Sequence, residues 1–171
     1  LALPGSAYVY QGEELGLPEV LDLPDEMRQD PSFFKANGQD GLRDGCRVPI
    51  PWSGTQAPYG FGDGGSWLPQ PAEWAGLSVE AQTGDPASTL ELYRAALRIR
   101  RERAELGAGD AVEWLEAPAG VLAFRRGAFV CAVNTTGAPV RLPAPGAVLL
   151  ASAAPGDPDV LPGDSAVWWL G

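Results

Sequence analysis

Between Gly16 and Gly84 the chain runs for roughly seventy residues without a sustained hydrophobic period. A structureless loop that long is uncommon inside a compact domain and is either functional or a linker. A linker would be rich in Ser, Glu or Lys and poor in Trp. This stretch holds three of the six tryptophans, Trp52, Trp67 and Trp74, together with Phe33, Phe34, Tyr59 and Phe61. It therefore reads as an ordered excursion packed against other structure. With 22 glycines and 17 prolines in 171 residues, long irregular segments are expected, while a hydrophobic content of 45% is enough to build a core. The length fits one or two domains.

The flanks are more regular. Ahead of the long stretch, the run Ala7–Tyr10 (AYVY) between Pro4-Gly5 and Gly12 predicts a single buried strand. Behind it comes a helix. Asp85 with Pro86 at the first helical position is one start signal, and Ser88-x-x-Glu91 is a competing capping box. Leu90, Leu92, Tyr93, Ala96, Leu97 and Ile99 form a wide apolar face, and Gly107 after Leu106 supplies the stop. Five arginines lie between Arg94 and Arg103, but Glu91, Glu102 and Glu105 stand at helical spacing to them. That pattern predicts a solvated, salt-bridged face and not a nucleic-acid surface. From Gly109 onward the spacing predicts strands at Ala111–Glu116, Val121–Arg126, Ala128–Asn134, Val140–Leu142, Ala147–Ser152 and Ser165–Leu170. Breaks fall at Pro118-Ala119-Gly120, Gly127, Thr135-Thr136-Gly137 and Pro155-Gly156-Asp157-Pro158. Short strands so spaced indicate an antiparallel sandwich or Greek-key module.

Acidic residues outnumber basic ones 22 to 12, a net charge of −10, so phosphate backbones and anionic lipid are poor partners. There is no histidine, which removes Ser-His-Asp and Cys-His catalysis and histidine metal sites together. Any catalysis would fall to carboxylates or arginines. Cys46 and Cys131 lie far apart with no C-x-x-C spacing; a disulfide between them stays open, but they read as two free thiols in a reducing cytoplasm. No apolar run approaches the roughly 18 residues of a membrane span. The opening LALPGSAYVYQGEELG has neither an initiator Met nor a basic n-region and reads as neither a natural start nor a signal peptide.

Several motifs dissolve on inspection. Gly60-x-Gly62-x-x-Gly65 fits the dinucleotide pattern, yet no hydrophobic strand precedes it and no helix follows. Asn134-Thr135-Thr136 is a formal sequon that better fits a hairpin turn. The acidic run LDLPDEMRQD lacks the spacing and glycine of a calcium loop and reads as a solvated loop. Cys131 alternates with Phe129 and Val133 as a core residue would.

Two segments carry more. In YQGEELG, Glu13 and Glu14 follow the first expected strand, where α/β folds place function. Adjacent carboxylates point to opposite faces, so they cannot flank one glycosidic bond at about 5–5.5 Å, and a structural role is expected. In RDGCRVPIPW, Arg43 and Arg47 are four apart, and Pro49 and Pro51 stiffen the approach to Trp52. A rigid loop offering a guanidinium beside an aromatic plate suits sugar binding, since the fork holds hydroxyls or a carboxylate and the ring packs on the apolar sugar face.

At these residues the sequence resembles a known family. LPGSAYVYQGEELGLPEV is similar to the eighth barrel strand and following turn of α-glucosidases of glycoside hydrolase family 13. RDGCRVPIPWSG resembles the segment R-D-x-x-R-T-P-M-Q-W of oligo-1,6-glucosidases, departing from it at Val48, Ile50 and Pro51. SWLPQPAEW and DPASTLELYRAALRIRRE resemble the approach to the eighth helix and the helix itself, and VCAVNTTGAPVRLP resembles the C-terminal domain.

The resemblance implies the tail of a (β/α)8 barrel (last strand, long substrate loop, last helix) in residues 1–108, and an all-β antiparallel sandwich or Greek-key C-terminal domain in residues 109–171. It implies a cytoplasmic retaining enzyme acting on maltose- or isomaltose-type oligosaccharides from the non-reducing end. The catalytic carboxylates of that mechanism belong to earlier barrel strands, so no catalytic residue, metal site or cofactor is assigned here. Arg47 would close the glucose pocket with an aspartate from elsewhere in the barrel. Arg43 matches the first arginine of the motif and is the second substrate-binding candidate. Oligosaccharide is the expected partner, with neither nucleic acid nor membrane. Within the family, trehalose synthase, sucrose isomerase or glucosyltransferase activity stays open. The rival from another class is a non-catalytic β module binding carbohydrate or a partner chain.

Overall fold

The computed structural model describes residues 1–37, 43–107, 109–154 and 156–171. The chain divides into two compact units, one of Leu1–Tyr8 with Leu92–Gly171 and one of Val9–Glu91. The boundary expected between residues 108 and 109 meets Ala108, and the break expected at Pro155 begins on that residue; both lie outside the described residues.

The first unit is organised by an antiparallel sheet. Strands β1 (Glu113–Trp114), β2 (Val121–Arg126), β3 (Phe129–Asn134), β5 (Ala147–Ala151) and β7 (Ser165–Leu170) pair in the order β1-β2-β3-β7-β5. β4 (Val140–Arg141) and β6 (Val160–Leu161) form a separate two-stranded ribbon. The two-residue connection between β2 and β3 pairs Arg126 with Phe129 and needs the left-handed backbone of Gly127, φ 60°. β3 is central and buried on both faces, which explains its unbroken apolar text FVCAVN. On one face Phe129 and Cys131 pack with Phe124, Trp168, Leu106, Ala2 and the helix residues Ala96 and Ile99. On the other, Val130 and Ala132 pack with Val121, Ala123, Val167, Trp169 and the ribbon residue Leu161. Both cysteines are free thiols, and burial pushes the Cys131 thiol up to about 12.

Of the two helix starts, the capping box prevails. Helix α3 spans Thr89–Glu102, and the Ser88 hydroxyl accepts from the Glu91 amide at 3.2 Å. Asp85 and Pro86 instead close a preceding turn, with the Asp85 carboxylate accepting from the Ala87 amide at 3.0 Å. Gly107 ends a short 3-10 turn, Ala104–Leu106, that follows the helix. (α1, Pro31–Lys35, and α2, Val79–Gln82, belong to the second unit.) On the arginine face Arg98 meets Glu102 at 3.3 Å, as its spacing predicts. Arg100 departs from the solvated picture. It donates to the carbonyls of Leu1, Leu3 and Gly5, and the buried Arg126 donates to that of Ala2 at 3.2 Å.

The expected strand Ala7–Tyr10 is not formed. The segment has no sheet partner among the described residues, and Tyr8 is 86% exposed. A lone extended segment can neither satisfy its backbone nor bury its faces.

The sequon is structural. Asn134 is buried; its amide nitrogen donates toward the carbonyls of Ala138, Leu161 and Pro162 at 2.8, 3.3 and 2.9 Å, and its oxygen accepts from Thr136. Asn134→Asp would turn a carboxylate toward three carbonyl oxygens, and we expect a loss of about 3 kcal/mol in unfolding free energy. Denaturant unfolding checks this; a loss below about 0.5 kcal/mol would show that this hub holds nothing.

The second unit has a core of Leu23, Val48, Tyr59, Leu68 and Trp74. Of the aromatic side chains in this aperiodic stretch, Phe33, Tyr59 and Trp74 are buried and supply apolar surface that periodic elements do not, while Phe34, Trp52, Phe61 and Trp67 stay exposed. Short elements connect them: α1 (Pro31–Lys35), α2 (Val79–Gln82) and 3-10 turns at Glu13–Leu15, Asp25–Met27, Arg43–Arg47 and Ala72–Leu77. The Ala57–Pro58 peptide is cis. Buried polar groups join distant parts of the stretch. The Gln82 amide donates to Leu15 O at 2.8 Å and accepts from Leu90 N at 3.0 Å, and the Tyr59 hydroxyl donates to Pro71 O at 3.0 Å.

Candidate functional site

The segment RDGCRVPIPW opens as the 3-10 turn Arg43–Arg47, because Pro49 and Pro51 exclude a longer helix. Gly45 lets this turn lie against a neighbouring strand of backbone: its carbonyl accepts from Val20 N at 3.2 Å, and a Cβ at Gly45 would meet Val20 O at 2.2 Å. The one-turn geometry sends Asp44 inward and both arginines outward. Asp44 is buried and accepts from the Gln29 and Asp30 amides, each at 3.0 Å.

Asp30 lies at the centre of the arrangement and is fully buried. It caps α1, with Pro31 at the first helical position and the Ser32 amide donating to Oδ1 at 2.9 Å. Arg43 grips it with both arms of its fork, Nε to Oδ2 at 2.7 Å and Nη2 to Oδ1 at 3.0 Å. Arg47 makes no such fork. Its Nη1 stands 3.6 Å from Asp30 Oδ2 and 3.6 Å from Asp44 Oδ1, and its side chain is 44% exposed. The Arg43 guanidinium, helped by the Ser32 amide, holds the Asp30 carboxyl well below the usual carboxylate range.

Beyond Arg47 the backbone is tied down at nearly every residue. Val48 O accepts from Gln11 Nε2 at 3.4 Å, Pro49 O from Gln70 Nε2 at 2.8 Å, and Pro51 O from Val79 N at 3.1 Å. Trp52 is fixed through its own backbone, N donating to Tyr59 O at 2.7 Å and O accepting from Glu80 N at 2.9 Å, while 48% of its surface stays exposed. On the other side of the turn the Cys46 thiol donates to Arg43 O at 3.0 Å and lies 3.7 Å from the Tyr10 hydroxyl. That thiol raises the Tyr10 phenol above its ordinary pKa, against the opposing pull of Arg47.

The structure thus brings Arg43 and Arg47 to one buried carboxylate and presents Trp52 from the same rigid segment. Glu14 folds back to accept from the Gly12 amide at 2.8 Å, which closes a turn. Sequence reasoning missed Asp30 and Asp44. Asp30 carried a readable signal, an aspartate directly before a proline at a helix start. Nothing local marked it as the partner of Arg43. Among the described residues no cluster of three or more His, Cys, Asp or Glu side chains could hold a metal ion, and no helix is long and apolar enough to cross a membrane.

Comparison with known proteins follows the same lines. The family model for the alpha amylase catalytic domain matches residues 1–109. A probable alpha-glucosidase of Rhizobium meliloti is 36% identical over 126 residues, covering 74% of this chain and 22% of that protein. A probable oligo-1,6-glucosidase of Bacillus subtilis is 31% identical over 126 residues, covering 63% of this chain and 22% of that protein. Among solved structures, an alpha-glucosyl transfer enzyme superposes with a TM-score of 0.76 at 34% identity, covering 99% of this chain and 34% of the other. The isomaltulose synthase of a Klebsiella species shares the fold with a TM-score of 0.77 at 21% identity, covering 95% of this chain and 34% of the other. The chain spans about a fifth of the length of these curated relatives. With the catalytic-domain model matched over most of its length and a relative 36% identical across three quarters of it, the chain belongs to the alpha-amylase family, glycoside hydrolase family 13.

Proposed function

We propose that the chain is the C-terminal part of a retaining α-glucosidase that cleaves α-glucosidic bonds of maltose- or isomaltose-type oligosaccharides from the non-reducing end in the cytoplasm. In this reading residues 1–108 contribute the last strand, substrate loop and last helix of the (β/α)8 barrel, and residues 109–171 form the C-terminal β-sandwich domain. The observation that carries the reading is the rigid turn in which Arg43 is bound to a buried carboxylate while Arg47 stands half-exposed on the same segment as Trp52. A planar donor held still beside an aromatic face suits sugar hydroxyls and the apolar ring behind them.

Retaining hydrolysis needs a nucleophilic carboxylate and an acid/base carboxylate across one bond. The resemblance assigns these to earlier strands, so this chain supplies binding and positioning. Transfer to a sugar acceptor is a second reading, supported by the 34% identical alpha-glucosyl transfer enzyme. It differs only in what attacks the covalent glucosyl intermediate.

Two assays test the proposal. The 171-residue chain alone is expected to release no glucose from maltose or p-nitrophenyl α-glucoside. The longer protein carrying it is expected to release glucose first as the α-anomer, read by proton NMR. Hydrolysis by the chain alone that is lost in Glu13→Gln or Glu14→Gln would overturn the assignment, as would β-glucose as first product.

A further inference from the structure

Asp30 lies within the residues that match the family model but in none of the motifs that resemble the α-glucosidases, yet the geometry of the arginine turn is built on it. Its two oxygens receive the Ser32 amide at 2.9 Å and both arms of Arg43 at 2.7 and 3.0 Å, with Arg47 Nη1 at 3.6 Å. The carboxylate is inaccessible to water, while the arginine side chains above it are 61% and 44% exposed. The charge is therefore the buried, fixed partner, and the cations are the exposed ones. A long arginine side chain that exposed would ordinarily sample many rotamers.

The two arginines are treated unequally. Arg43 spends its planar fork on Asp30, so its orientation is set by two parallel bonds. Those bonds and the Ser32 amide occupy the near side of the carboxylate, so Arg47 is attracted by charge without a matching fork. Asp44, itself anchored by the Gln29 and Asp30 amides, adds a second negative oxygen at 3.6 Å from the same nitrogen.

We propose that Asp30 is the positioning residue of this turn: it makes Arg43 a strut and holds Arg47 in place as the donor that faces the sugar. The proposal rests on the reading of Arg47 as a substrate-binding residue, and its test separates the two. Asp30→Asn keeps the size and the Ser32 cap but removes the charge and offers Arg43 a donor in place of one acceptor.

On the 171-residue chain, the Arg43 Nε–H should give a protected nitrogen-15 NMR signal that Asp30→Asn loses. Stability against pH supplies a second readout. Because the folded carboxyl titrates below its unfolded value near 3.9, its contribution is complete above about pH 4 and disappears as the pH falls further. Asp30→Asn should lack that part of the acid limb. In the longer enzyme, Asp30→Asn is expected to lower kcat/KM on maltose about tenfold, and the double variant with Arg47→Ala to be no worse than Arg47→Ala alone, because Asp30 acts through Arg47. A purely structural role would move the melting temperature and leave the two losses additive.

Additive losses, or an unchanged Arg43 signal with an unchanged acid limb, would overturn the proposal. Loss of the Arg43 signal with turnover indifferent to Arg47→Ala would support the anchoring by Asp30 and overturn the substrate role of Arg47. If Asp30→Asn fails to fold, Arg43→Lys keeps the charge without the fork and carries the same kinetic comparison with Arg47→Ala.

Discussion

Arg47→Ala in the proposed longer α-glucosidase is expected to lower kcat/KM on maltose by a factor of about 10²–10³ while leaving the melting temperature nearly unchanged. The asymmetry follows from the contacts. Within this chain Arg47 is half-exposed and meets Asp30 and Asp44 only at 3.6 Å, and ion pairs of that kind contribute little to stability. In the proposed pocket the same guanidinium would face an aspartate from elsewhere in the barrel; without sugar that carboxylate stays solvated, and it becomes buried without a partner only when substrate fills the pocket, at a cost of roughly 3–5 kcal/mol. Most of that loss would fall on the transition state, where the sugar is held. Arg47→Lys should not restore activity, because a point charge cannot reproduce a planar fork. Arg43→Ala should show the opposite balance: a lower melting temperature, since Asp30 loses its bidentate partner, and a smaller loss of turnover. Kinetics and melting curves for the three variants check this. Near wild-type activity in folded Arg47→Ala would remove Arg47 from the site and leave RDGCRVPIPW a structural loop.

The elements legible in the sequence are those whose cause is local. β2 and β7 run from Val121 to Arg126 and from Ser165 to Leu170 as their apolar text predicts, and β3 begins one residue later than expected, after the turn that Gly127 permits. β6 was missed because Val160 and Leu161 are too short a pair to show any period; they form a strand only by pairing with β4. Ala7–Tyr10 failed for the converse reason. Its side chains favour a strand, but a strand is a pairing and the described residues supply no partner. Arg100 looked like a surface charge because its acceptor, the Leu1 carbonyl, lies 99 residues earlier in the sequence. The site divided along the same line. Two arginines four apart before a pair of prolines could be read directly. Asp30 sat inside LDLPDEMRQD, which reads as a solvated acidic loop; the partners that satisfy its buried charge are Arg43, thirteen residues on, and the Ser32 amide.

Gly45→Ala is expected to destabilise the chain by about 2–3 kcal/mol, because it overfills a contact made by backbone on both sides. The Cβ would stand 2.2 Å from Val20 O, 3.0 Å from Val20 C and 3.0 Å from Glu19 Cγ. A flexible side chain could swing aside, but a carbonyl bound into a loop cannot do so without carrying its peptide along. Separating the two segments would also weaken the bond from Val20 N to Gly45 O, now 3.2 Å. The displacement would be felt at Arg43 and Arg47, which flank Gly45 at two residues on either side within one 3-10 turn. The longer enzyme should therefore lose turnover together with stability, unlike Arg47→Ala, which should lose turnover alone. Gly62→Ala is the control. It has nothing within 4 Å of the added Cβ and no positive φ, so it should stay within about 0.5 kcal/mol of the parent. Thermal and denaturant unfolding of both variants, with kcat/KM on maltose, test the contact. If Gly45→Ala matched Gly62→Ala, the turn would not be closed against Val20, and the rigidity that makes Arg47 a fixed donor would have to come from the Asp30 anchor alone.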